Sequence, residues 1–197
     1  MLEYLKNIDA QLLLFINGHH NSFWDAVMWQ LSSKLFWVPF YVILLAYLIY
    51  KYKKHSWILI LSIVLVVVLA DQVSSHLIKH LVERLRPTHE PALNGMVHIL
   101  KNYRGGSFGF VSSHAANSFG LATFLSLLFK NRTFTLFVFV WATLIAYSRI
   151  YLGVHYPGDV LGGIAVGILI SCLIFWILTM IIQIKPDSIQ FKKNADN

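Results

Sequence analysis

Long apolar runs follow one another along this chain, and that pattern rules out most folds. The runs over residues 36–50, 56–70, 114–129, 134–147 and 160–184 contain no Lys, Arg, Asp or Glu. Crossing a hydrocarbon layer of about 30 Å takes about 20 residues of helix, and several runs reach that range. Backbone groups in lipid must bond within their own segment, so such runs are helices. Only 13% of the residues are charged and the mean hydropathy is +0.62. A soluble domain carries about twice that share of charge. The pattern predicts an all-α integral membrane helical bundle of five transmembrane helices, preceded by an N-terminal interfacial amphipathic helix.

Three regions follow. Residues 1–22 form an interfacial amphipathic segment, with Leu5, Ile8, Leu12 and Phe15 at helical spacing and Lys6, Asn7 and Gln11 between them. Residues 23–184 form the membrane-embedded domain. Phe23, Trp24, Trp29 and Trp37 mark its interface, and its first helix can begin as early as residue 22. The second helix can continue to about residue 85, where Arg86-Pro87 ends it, because the residue before proline disfavours helix. Residues 88–112 form a long loop of the kind that carries function. Residues 185–197 form a polar tail. No cleavable signal segment is expected ahead of the first span. The single cysteine, Cys172, lies within an apolar run and reads as a small core or lipid-facing residue.

Charge orients the bundle. The turns at 51–55 and 130–132 and the tail together hold eight of the sixteen Lys and Arg residues. Four of the other eight, Lys79, Arg84, Arg86 and Arg149, belong to or flank a candidate site. With these set aside, the positive-inside rule places the turns and tail in the cytoplasm. The net charge of +7 comes with no nucleic-acid recognition motif, so no nucleic-acid partner is expected.

Three polar islands then meet on the extracytoplasmic face. Lys79 and Arg86 lie seven residues apart, about two helical turns, and Arg149 comes from another helix. Three cations around one point suit a phosphate group. His155 and Asp159 are four apart, and a carboxylate on one ring nitrogen leaves the other free for attack. His114 follows Ser112 and Ser113 at a helix start, where backbone N–H groups can hold anionic oxygens. These residues leave open which histidine attacks. His76 and His80 share a zinc-like spacing but lack a third ligand, so neither metal nor other cofactor is expected. Asp71 is read as orienting Lys79 or satisfying a polar interior. Glu83 and Arg84 are read as a solvated or headgroup-facing pair.

The islands resemble the motifs of the type 2 phosphatidic acid phosphatase family. The first family pattern, Lys, six residues, Arg-Pro, is matched by Lys79 to Arg86-Pro87. The third, Ser-Arg, five residues, His, three residues, Asp, is matched by Ser148-Arg149, His155 and Asp159. The second, Pro-Ser-Gly-His, reads here as Val111-Ser112-Ser113-His114. The resemblance implies His155, Asp159 and His114 as catalytic residues and Lys79, Arg86, Ser112, Ser113 and Arg149 as phosphate-binding residues. It further implies a metal-free reaction in which His155 attacks phosphorus, Asp159 supports it and His114 protonates the leaving group.

The expectation is a lipid phosphatase of a bacterial inner membrane acting on a phosphate mono- or diphosphate ester, undecaprenyl pyrophosphate favoured. The partners would be the lipid phosphate and surrounding membrane lipids. Lipid A, phosphatidylglycerophosphate and phosphatidic acid are alternative substrates. A lipid phosphotransferase and a non-enzymatic phospholipid-binding or transport protein are alternative functions.

Overall fold

The computed structural model describes residues 2–182 and is all-helical, apart from one isolated bridge between Leu85 and Phe108. The polar tail expected over 185–197 lies outside the described residues. Helices α1 (Leu2–Gly18) and α2 (Ser22–Ser32) precede α3 (Val38–Tyr52) and α4 (Ser56–Gln72). A π-helical turn, Val73–Ile78, joins α4 to the short α5 (Lys79–Val82). Then come α6 (Ser113–Phe129), α7 (Arg132–Tyr151) and α8 (Pro157–Ile182).

The first span does not extend back to residue 22. The Asn21 side chain accepts from Trp24 N at 2.9 Å, and Ser33 ends α2 with extended backbone. The α4 run also stops before Arg86-Pro87, because Glu83 turns left-handed at φ 49°. At the other end, α7 runs four residues past the expected stop at 147 and carries Ser148 and Arg149.

Three helical segments are long and apolar enough to cross a membrane: Leu35–Val82, Arg132–Tyr151 and Pro157–Met180. The first folds back at Lys53 (φ 46°), so α3 and α4 lie side by side. By this measure the five expected spans are not five separate segments. Two of the runs fall in the first segment, and the 114–129 run forms α6, the enclosed centre of the bundle. Packed by α4, α7 and α8, α6 keeps Ala115, Phe119, Leu121, Phe124, Leu125 and Leu128 buried. By contrast, Ile43, Leu61, Leu65 and Leu169 face outward on the outer helices, and Cys172 is exposed on α8.

Small residues allow α6 and α8 to touch backbone to backbone. A Cβ at Gly167 would meet the Ala116 carbonyl at 2.2 Å, and one at Gly163 the Ser112 carbonyl at 2.4 Å. The pair forms a GxxxG seam, the arrangement that lets helices approach closely in lipid. It fixes the start of α8 against the start of α6.

On α1 the apolar stripe faces away from the protein, leaving Leu5, Leu12 and Phe15 exposed. The opposite flank carries Asp9 and buries Leu13 and Asn17. Asn17 Nδ2 donates to the carbonyls of Tyr151 (2.7 Å) and His98 (3.0 Å), and its Oδ1 accepts from His98 N at 2.7 Å. Asp25 of α2 accepts from Tyr151 Oη at 2.8 Å and lies 3.2 Å from His98 Nε2. Both N-terminal helices thus brace the 88–112 loop over the bundle.

Candidate active site

The three motif islands converge. A cavity of about 850 Å³ is lined by Lys79, Arg86, Ser113, His114, Arg149 and His155 at one end. Ser112 and Asp159 lie fully buried behind that wall.

Each cation is aimed by a neutral oxygen. Lys79 Nζ donates to Ser113 Oγ at 2.9 Å, and Ser75 shares that hydroxyl at 2.7 Å. The π turn ends immediately before Lys79, in keeping with the frequent occurrence of such turns at functional sites. Arg86 donates Nε to the Phe108 carbonyl (3.0 Å) and Nη1 to the Val154 carbonyl (3.2 Å). Arg149 donates Nη2 to Tyr103 Oη at 3.0 Å and Nη1 to Ser32 Oγ. Arg149 is only 2% exposed, and its Nε lacks a hydrogen-bond partner. These hydrogen-bond partners are all uncharged, which suits an anion site.

The second island starts α6. Ser112 is the N-cap, its Oγ accepting from Ala115 N at 3.5 Å, so Ser113 and His114 occupy the first turn. Free N–H groups of that turn favour an anion. The replacements Val111 and Ser113 find physical roles: Val111 is buried against α8, and Ser113 bonds Lys79.

His155 is 1% exposed, with Nδ1 3.5 Å from Asp159 Oδ2. That is too long for a hydrogen bond, a separation catalytic pairs often show before substrate arrives. Burial pushes the imidazole well below its usual range, and Arg86, Arg149 and Lys79 push it further the same way. His155 therefore rests neutral, with a lone pair available. Burial and the neighbouring Arg149 also lower Arg86, which nevertheless remains a cation.

Sequence reasoning misplaced Arg84. Instead of facing headgroups, it bridges two acids: Nη1 lies 2.9 Å from Asp159 Oδ1 and Nη2 2.7 Å from Asp9 Oδ2. Its guanidinium sits 3.9 Å from the Tyr156 ring centroid. Asp9 also accepts from Gly158 N at 2.7 Å, and Asp159 Oδ2 accepts from Tyr156 N at 3.0 Å. The available signal was Asp9 itself, an acid among the apolar positions of α1. Gly109 was missed as well: a Cβ there would meet Asp159 Oδ2 at 2.9 Å. Asp71 does not bond to Lys79, which is engaged by Ser113.

A helical bundle holding buried cations and a histidine pair at the head of an apolar cavity defines a membrane protein of phosphate-ester chemistry. The chain belongs to the PAP2 superfamily, whose model matches residues 55–183, and is a membrane lipid phosphatase. It is 44% identical over 169 residues to a lipid A 4'-phosphatase of Bacteroides thetaiotaomicron, covering 85% of this chain and 75% of that one. A lipid A 4'-phosphatase of Porphyromonas gingivalis is 34% identical over 175 residues, covering 88% and 74%. The fold is similar to that of the crystallised PAP2-type phosphatidylglycerolphosphate phosphatase of Bacillus subtilis. There the TM-score is 0.67 at 24% identity, covering 90% of this chain and 88% of that one.

Proposed function

We propose that this protein removes a phosphate from lipid A through a phosphohistidine intermediate at the extracytoplasmic surface of a bacterial inner membrane. Lipid A replaces undecaprenyl pyrophosphate as the favoured substrate, because both relatives described above are lipid A 4'-phosphatases. The observation that carries the chemistry is a buried His155 at the head of a cavity walled by three cations.

In this reading, Lys79, Arg86, Arg149 and the first-turn amides of α6 hold the phosphate oxygens. His155 attacks phosphorus, Asp159 stabilises the imidazolium as it forms, and His114 gives a proton to the departing sugar oxygen. Water then cleaves the phosphohistidine, with His114 taking its proton. Charge spreads over the equatorial oxygens, where preformed cations act with little reorganisation.

The chain crosses the membrane five times, with the 51–55 and 130–132 turns and the tail in the cytoplasm. The exposed stripe of α1 rests in the outer interface. Lipid tails occupy the apolar continuation of the cavity between α3, α4, α6 and α7, lined by Leu44, Leu48, Ile60, Ile63, Leu121 and Ile145.

Purified protein in detergent tests this directly. Phosphate release is compared for lipid A, undecaprenyl pyrophosphate, phosphatidylglycerophosphate and phosphatidic acid, without an added acceptor. Lipid A is expected to give the highest kcat/KM, with activity retained in chelator and lost with vanadate. Preference for undecaprenyl pyrophosphate would overturn the substrate assignment. Loss in chelator that a divalent metal restores would overturn the metal-free chemistry.

A further inference from the structure

Asp71 is the carboxylate that this mechanism leaves unused. It lies in the last turn of α4, within an apolar membrane-spanning segment, where an ionised side chain is costly without a partner. It is half-buried and lines the cavity. Among the described residues, one hydrogen bond reaches its side chain: Asn117 Nδ2 donates to Oδ1 at 3.3 Å. Asn117 thereby turns its amide N–H toward Asp71. Asp71 Oδ2 accepts no hydrogen bond from the described residues, and Asn117 Oδ1 is buried without a partner among them.

The position of this acceptor is informative. Asp71 precedes Lys79 by eight residues across the π turn, so its backbone lies about two turns deeper along the helix. Ser75 and Lys79 stand above it, while Val67 and Ile63 line the cavity below. Asp71 and Asn117 therefore mark the boundary between the phosphate end and the tail end. A ligand that fills the cavity brings whatever follows its phosphate against this carboxyl group. A hydroxyl or amide N–H would pair with it. A chain with only methyl and methylene groups there would leave the acceptor dry and unpaired, which is costly.

Building on the lipid phosphatase reading above, we infer that Asp71 and Asn117 form an acceptor subsite. It selects phosphorylated lipids that carry a hydroxyl or amide N–H where the cavity passes from its phosphate end to its apolar end. Acylated amino-sugar phosphates have such donors. Polyprenyl diphosphates and diacylglycerol phosphates have none at that depth. A site built around a buried polar group discriminates strongly against analogues that lack the matching group.

The test measures kcat/KM for lipid A, undecaprenyl pyrophosphate and phosphatidic acid in wild type, Asp71→Ala, Asp71→Asn and Asn117→Leu. Asp71→Ala is expected to lower the ratio of lipid A to phosphatidic acid about 10- to 100-fold. Asp71→Asn, which keeps one acceptor and the shape, should lower it by less, and it stands in should Asp71→Ala fail to fold. Asn117→Leu should give an intermediate drop. An equal loss on all three lipids would overturn the subsite and make Asp71 a structural or Lys79-tuning residue. An unchanged ratio would overturn it too. If the wild type releases no phosphate from any lipid, the phosphatase reading fails first and the subsite falls with it.

Discussion

The two ends of the cavity are built on opposite principles. At the phosphate end, nearly every group is held by a named partner: Lys79 by Ser113, Arg86 by two carbonyls, Arg149 by Tyr103, Asp159 by Arg84. At the tail end, Leu44, Leu48, Ile60 and Ile63 offer only shape. Directional bonds fix positions to fractions of an ångström, which phosphoryl transfer needs. Dispersion against aliphatic side chains tolerates sliding, which a flexible acyl chain needs. On the proposed reading, the contrast separates a rigid polar head that positions phosphate from an apolar end that accommodates chains.

Substitutions at the two ends should therefore fail differently. His155→Ala should reduce kcat by about 10⁴-fold or more while the protein still inserts and elutes as wild type. Phosphate release near the wild-type rate would remove the nucleophile from the upper end. Arg84→Ala should lower kcat about 10- to 100-fold with a smaller change in KM, because Asp159 loses its fixed position. A pure rise in KM would instead make Arg84 a substrate-binding cation. Leu48→Trp, at the lower end, should raise KM a few-fold and leave kcat close to wild type. A kcat collapse there would erase the division of labour.

The pH profile sharpens the same contrast. A base must be neutral to attack, and burial among cations holds His155 well below the ordinary imidazole value of 6.5. Protonation therefore sets in only at lower pH, and the acid limb of kcat/KM should fall below pH 6.5. An acid limb above pH 7 in the free enzyme would mean that another group controls it.

The sequence disclosed the phosphate end more fully than its supports. Lys79, Arg86, Ser113, His114, Arg149 and His155 all line one cavity, as the motif spacings require. They were readable because charge is conspicuous among apolar residues. Arg84 looked like a headgroup ligand because its two partners, Asp9 and Asp159, are each 75 residues away in opposite directions. No local pattern carries such a pairing. Hydropathy marks the apolar run of α6 but not its place at the centre of the bundle, and at 17 residues this helix is shorter than each of the three long apolar segments. The α6–α8 seam was visible only as scattered glycines until Gly163 and Gly167 met Ser112 and Ala116.

The clasp from Asp9 to Gly158 joins positions 149 residues apart. A ribosome delivers its two halves at opposite ends of synthesis. Until the start of α8 emerges, α1 can hold Arg84 and the backbone at His98 and Tyr151, but the guanidinium lacks its second acid, Asp159. A chain that ends before residue 158 therefore lacks both the Asp9–Gly158 clasp and the Arg84–Asp159 bridge.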